Sequence, residues 1–263
     1  MTTLSRSLRY AESEVIAYRR TWRGTVISSF VNPVFFLAAM GAGLGQLVDD
    51  GTGNNLSIPY LAFVASGLIA ANAMQGGAGD GSFPVMAGLI WRKNFHGTIT
   101  TPLGSADIIL GRLIWGVARL TFVLGVFAVI AVLFGALEIG PALLAIPPGV
   151  LTGVAFTTAI TAWTLRQEDG RSLSTLFRFL IVPMFLFSGT FFPISQLPDW
   201  LEPVAYATPL FHGVELVRKI ALPGVDGSIV TSLPLWVHLG YLLVMAGAGL
   251  YLSIRWLDER IRP

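Results

Sequence analysis

Six stretches of this sequence are each long and apolar enough to cross a bilayer, and that repetition constrains the fold more than any other feature. They lie at 25–48 (interrupted by Asn32-Pro33), 59–85 (rich in Gly and Ala), 113–137, 142–165 (starting near Pro147-Pro148), 173–192 and 233–257. Each is near or above the roughly 20 residues a helix needs to span the hydrocarbon core. Composition agrees: 54% of residues are hydrophobic and 12% charged, against roughly a quarter charged in soluble domains. Lipid offers no hydrogen bonds, so each stretch must satisfy its own main chain as a helix. The expected fold is an all-α membrane protein with six transmembrane helices, one domain over 1–263 and no internal repeat.

Three segments depart from this pattern. Residues 1–24 carry no apolar signal-peptide core, so insertion is expected to use the spans themselves. Within them Leu4, Leu8, Tyr10, Ala11, Val15, Tyr18 and Trp22 recur at spacings of three and four among Arg6, Arg9, Arg19, Arg20 and Arg23. That predicts an amphipathic interfacial helix over 4–23 with basic residues toward headgroups, rather than a disordered tail. Residues 91–112, WRKNFHGTITTPLGSADIILGR, form a polar elbow between spans two and three. Pro102 and Gly104 break it, and Ser105 or Asp107 can cap the helix that follows. It reads as a cytoplasmic elbow carrying a short helix parallel to the bilayer; an ordinary solvated loop is the plain alternative. Residues 197–222 are apolar but broken by Pro198, Pro203, Pro209 and, just beyond, Pro223. They predict a re-entrant or interfacial helix pair, tolerable at membrane depth where it packs on protein or faces water.

The positive-inside bias sets orientation. With the N-terminus inside, Arg6, Arg9, Arg19, Arg20, Arg23, Arg92, Lys93, Arg112, Arg166, Arg171, Arg255, Arg260 and Arg262 fall inside, thirteen of the seventeen basic residues. Asp49, Asp50, Glu138, Asp199, Glu202 and Asp226 fall outside, with Arg218 and Lys219 the basic exceptions. Both termini are expected in the cytoplasm.

Several chemistries are missing. Without Cys there is no disulfide or thiolate site. His96, His212 and His238 lie far apart in sequence with no metal-ligand spacing. No GxxxxGK[ST] phosphate loop occurs, and no hydrolase constellation. Nothing points to nucleic acid. The run Gly76, Gly77, Gly79, Gly81 sits inside an apolar span, where small residues serve close helix packing. Ionisable residues inside a span are functional candidates. Asp80 and Arg119 either pair or snorkel separately to the cytoplasmic interface, as Arg178 would; separate snorkelling is the simpler reading. Glu215, three and four residues before Arg218 and Lys219, reads as a helical ion pair.

Other motifs carry a family resemblance. Residues 187–193 (FSGTFFP) are followed by Leu197-Pro198-Asp199-Trp200-Leu201, Tyr206-Ala207-Thr208-Pro209-Leu210, and His212-Gly213-Val214-Glu215-Leu216-Val217-Arg218. A second match runs from Thr101-Pro102-Leu103 to Leu110-Gly111-Arg112. In this order they resemble the permease subunit of an ABC-2 type exporter over essentially the whole chain, most nearly the nodulation-factor, lipo-oligosaccharide and drug-exporter branch.

The resemblance implies a six-span permease in a bacterial inner (plasma) membrane. It pairs with an identical or paralogous second permease and binds two cytoplasmic ATPase subunits made as a separate chain. ATP and Mg then belong to that partner, with no cofactor and no metal on this chain, which is a transport subunit rather than an enzyme. It also implies a coupling helix near 95–103 with Phe95, His96, Thr101, Pro102 and Leu103 at the ATPase contact, and a re-entrant motif containing Pro198, Trp200, Pro209, Glu215 and Arg218. Dimer contacts are expected from spans one and five. Amphiphilic cargo (drug, lipid or lipid-linked saccharide) suits spans with few polar groups, and Phe35, Phe36, Phe185, Phe187, Phe191 and Phe192 are candidate path residues, although most span aromatics face lipid or pack. An ATP-independent secondary transporter or channel would want several intramembrane charges or inverted repeats; a membrane-embedded enzyme would want clustered His, Asp or Ser. The sequence offers one plausible acid, no repeat and scattered His.

Overall fold

The structure, a computed structural model, describes residues 3–49, 58–224 and 229–261. Asp50, Asp226 and Arg262, counted in the charge bias above, lie outside the described residues. Ten helices carry the fold among those described, and no strand occurs. They are α1 (Thr3–Tyr18), α2 (Trp22–Gly45), α3 (Tyr60–Trp91), α4 (Asn94–Thr98), α5 (Ser105–Leu133), α6 (Ile139–Leu165), α7 (171–187), α8 (Glu202–Ala207), α9 (Pro209–Ala221) and α10 (Leu235–Ile261). Shorter turns at Gln46–Asp49 and Ile194–Gln196 link them.

Five of these, α2, α3, α5, α6 and α10, are long and apolar enough to cross a membrane. The stretch expected at 173–192 is helical over 171–187, which at 1.5 Å per residue is roughly 25 Å. Gly189, at φ +81°, turns the chain just past its end, leaving Phe191 and Phe192 beyond the helix. α7 starts beside the 166–170 turn and ends where Gly189 O meets Arg218, level with Phe63 near the start of α3. It therefore runs from one end of the bundle nearly to the other.

Boundaries shift for identifiable reasons. α1 ends at Tyr18, so Arg19 and Arg20 sit in a turn and Trp22 opens α2. α3 continues to Trp91, six residues past expectation, although Ser82 and Pro84 interrupt it. α5 begins at Ser105, because Asp107 accepts the Gly104 N–H at 2.9 Å and caps the first turn. The elbow is thus 92–104 rather than 91–112, and Arg112 is helical. The pair expected over 197–222 is α8 and α9, hinged at Thr208, whose Oγ1 accepts the Phe211 N–H at 3.3 Å and caps α9.

α3 is the centre. In its apolar window 78% of residues are buried, against 19% for α2 and 22% for α10. It packs against α6, which packs in turn against α10, while α9 lies across α3 and α1 runs along α5. Small residues make the central contact possible. A Cβ on Gly77 would stand 2.2 Å from Gly153 O, and one on Gly81 2.7 Å from Thr157 O. On α10 a Cβ at Gly249 would meet Ala159 N at 2.6 Å. Gly79, two residues from both Gly77 and Gly81, faces open space. Gly77→Ala should therefore lower stability by about 3 kcal/mol, while Gly79→Ala should be neutral or raise it by up to about 1 kcal/mol; thermal melts followed by tryptophan emission compare the two.

Candidate functional site

One end of the bundle gathers α1, the elbow, the turn after α6 and the last turns of α10. Arg6 Nε meets Asp107 Oδ2 at 3.2 Å, and Arg6 Nη1 donates to Pro102 O at 3.4 Å. Ser105 Oγ donates to Asp258 Oδ1 at 2.6 Å. Arg260 Nη2 donates to Gln167 O at 2.6 Å, and Arg166 pairs with Glu259 at 3.5 Å while lying 4.6 Å from the Trp256 ring centroid. Most of the basic residues assigned to the inside are at this end.

The elbow is anchored at its start and open at its tip. Lys93, with φ +54°, reverses the chain so that α4 folds back on the bundle. Phe95 is fully buried among Tyr10, Val85, Leu89, Ile108, Ile109 and Leu257, and it fits because position 88 is glycine: a Cβ there would stand 2.5 Å from its ring. His96 is half-buried, and its Nδ1 has no hydrogen-bond partner. Leu103 packs partly on the same cluster, whereas Thr101 and Pro102 are exposed. The Thr98, Thr100 and Thr101 hydroxyls fold back onto carbonyls within the elbow. The five residues singled out in sequence thus split into an anchor, Phe95 with Leu103, and an exposed tip, Thr101-Pro102, with His96 between them.

Arg112 ties this end together, and its role was not read from the sequence. Pro84 has no N–H, so Asp80 O, four residues earlier, loses its helical donor. Arg112 Nη2 donates to that carbonyl at 3.2 Å, and its Nη1 bonds Glu14 Oε1 at 3.0 Å. One guanidinium therefore joins α1, α3 and α5, lying 5.8 Å from the Phe95 ring centroid. Beneath it Gly111 admits Tyr10, where burial pushes the phenol up to about 12. The sequence signal was the Pro placed four residues after an intramembrane Asp.

Asp80 and Arg119 form an ion pair, so the simpler expectation of separate snorkelling is corrected. Both point into a polar cavity of about 150 Å³, lined also by Thr157, Thr161 and Ser253, and both are half-buried. Asp80 Oδ2 keeps no partner.

At the opposite end the helical ion pair expected for Glu215 is absent. Among the described residues no salt bridge joins it to Arg218 or Lys219. Its Oε2 instead accepts the Thr231 N–H at 2.7 Å and the Thr231 hydroxyl at 2.8 Å, and Lys219 Nζ donates to Leu233 O. Arg218 is fully buried. It donates to Ser66 Oγ and Phe63 O at 3.3 Å and to Gly189 O at 2.9 Å, with its guanidinium 4.0 Å from the Phe63 centroid. The chain returning through Thr231 brings a main-chain donor to Glu215 and the Leu233 carbonyl to Lys219, while α3 and Gly189 supply carbonyl acceptors to Arg218. Pro198 lies in the approach to α8, Trp200 is exposed, and Pro209 opens α9. Also here, His212 and His238 meet Nδ1 to Nδ1 at 2.9 Å, 26 residues apart, a contact sequence spacing did not suggest. Among the described residues no cluster of three metal-ligating side chains occurs.

Between α2, α3, α5 and α7 runs a groove of about 530 Å³. Phe35, Phe36 and Phe185 line it, and Phe191 packs behind, 5.9 Å from Phe36 and 5.0 Å from Phe185 by ring centroids. Phe187 and Phe192 contact each other at 6.4 Å and are not part of it. Phe35 is 72% exposed, facing outward at the groove's edge.

Residues 10–222 match the model of the ABC-2 type transporter family. Nodulation protein J of Sinorhizobium fredii is 28% identical over 249 residues, covering 94% of this chain and 90% of that one. Nodulation protein J of Rhizobium meliloti is 28% identical over 251 residues, covering 94% and 91%. The inner membrane transport permease YadH of Escherichia coli is 20% identical over 244 residues, covering 90% and 93%.

Removing one partner of the Asp80–Arg119 pair strands the other, so Asp80→Ala should cost about 3 kcal/mol. The apolar double variant Asp80→Leu/Arg119→Met should recover most of it, as comparison of detergent-solubilised melting temperatures would register.

Proposed function

The chain belongs to the ABC-2 type transporter family, and from that premise we propose that it is the transmembrane permease subunit of an ATP-driven exporter of amphiphilic substrates. It is a multi-pass membrane protein and a transport component rather than an enzyme. A separate cytoplasmic ATPase, present as two subunits, supplies the energy and holds ATP and Mg. A second permease chain, identical or paralogous, completes the assembly. The chain sits in a bacterial inner membrane, as the name of the YadH permease says of that protein. α7 makes a sixth crossing, which keeps both termini cytoplasmic, and α8–α9 re-enter from the outer side. The second copy packs through α2 and α7, whose outward faces carry Phe30, Val34, Phe179, Val182 and Leu186 in exposed positions.

The observation that carries this reading is the construction of the elbow. Its apolar start is locked into the bundle at Phe95, while Thr101-Pro102 stand exposed beside α1 and the end of α10. A partner that moves the tip moves α3, because the elbow continues α3 directly and Arg112 binds both to α1. Rigid-body displacement at one face is thereby passed to the spans. The pairing of Asp80 with Arg119 weighs against the ATP-independent alternative, since the one candidate proton carrier is already neutralised by a fixed partner.

Pull-down of the mildly solubilised chain from its host should bring a phosphate-loop ATPase in equal amount; a chain that elutes alone would overturn the reading. Thr101→Trp, at an exposed position, should leave yield and melting unchanged yet cut permease-stimulated ATP hydrolysis about tenfold, the equivalent of ~1.4 kcal/mol of lost coupling.

A further inference from the structure

The groove between α2, α3, α5 and α7 contains three carboxamides, Asn32, Asn72 and Gln75. Asn72 and Gln75 lie three residues apart on one face of α3, and Asn32 faces them from α2 just before Pro33. All three sit well inside spans, more than two turns from either end of their helices. Asn32 and Gln75 are exposed and Asn72 half-buried, and none forms a hydrogen bond to the protein among the described residues. A bare amide against hydrocarbon is unfavourable, and an occupant with matching polar groups would take the bonds of all three on this one wall. The rest of the wall is aromatic and aliphatic, and no ionisable side chain lines it. The volume, about 530 Å³, lies in the usual range for small-molecule sites, which combine an apolar lining with a few convergent polar groups.

We propose that Asn32, Asn72 and Gln75 form a cargo-binding site for amphiphiles whose polar head is uncharged and carries both hydrogen-bond donors and acceptors, such as hydroxyl or amide groups. The inference rests on the reading of the chain as an amphiphile permease. An amide both donates and accepts, so it matches hydroxyl and amide heads in either sense. An ionic head would enter a low-dielectric groove with no counter-charge. The head sits at the α3 amides and the alkyl body lies along Phe35, Phe36 and Phe185.

The test uses the full-length permease in proteoliposomes without nucleotide and three dodecyl probes bearing the same tail diazirine. Their heads are glucose, phosphate and trimethylammonium. The glucoside should label the 60–81 segment at least tenfold more than either ionic probe. Asn72→Leu/Gln75→Leu places apolar residues in an apolar wall, so melting should be unchanged or higher while glucoside labelling falls about tenfold, equal to ~1.4 kcal/mol. Equal labelling by an ionic probe would overturn the proposal. So would unchanged glucoside labelling in the double variant, whether or not its dimer fraction falls; a fall would assign the amides to contact between copies. Failure of the ATPase to co-purify would sink the exporter reading while leaving this nucleotide-free labelling to be judged separately.

Discussion

The approach of α3 to α6 is the contact on which the rest of the molecule depends. Between helices in lipid there is no hydrophobic drive, so association rests on dispersion and hydrogen bonds, both of which require short distances. Gly77, Gly81 and Gly153 let the two main chains meet at separations no side chain would permit. α10 then closes on α6 at Gly249. With α3 enclosed, its two ends and one remaining face become the places where other elements attach.

Both ends are held by an arginine that binds main-chain carbonyls rather than a carboxylate on the same helix. Arg112 takes Asp80 O, freed by Pro84, and reaches α1 through Glu14. Arg218 takes Phe63 O and Gly189 O and so ties α9 and the end of α7 to α3. Several donors in a planar fork suit this use better than a lysine ammonium would. Each guanidinium spends several donors in poorly solvated surroundings, and losing one would leave several acceptors bare. The fixed part of the molecule is therefore α3 with α6, α9 and α10, whereas α2 and α7 touch it less and carry much of the exposed apolar surface.

That division bears on mechanism. The elbow extends α3, and the same helix carries Asn72 and Gln75 toward the groove. Thr101-Pro102 connect to the groove through the elbow and α3, a well-buried helix interrupted at Ser82 and Pro84. The interruption follows directly on Asp80, whose side chain pairs with Arg119 and whose carbonyl takes Arg112.

Much of this was legible in the sequence, since lipid imposes simple rules. Apolar length gave five of the spans, the basic bias gathered one end, three-and-four spacing gave α1, prolines marked the broken segment, and the motif order gave the family. The glycine run was rightly a packing seam, but which glycines touched was not readable, because rotation about a helix axis is set by the neighbour. The sequence by itself determined an all-helical membrane protein with a polar elbow, through hydropathy and chain-local geometry. Only the tertiary structure decided that Asp80 pairs with Arg119, that Glu215 turns to Thr231 and not to its own helix, that Arg218 is buried on carbonyls, and that three amides share one groove. Each of these joins residues distant in sequence, and partner choice among polar groups depends on which acceptor the packed backbone brings within hydrogen-bond reach.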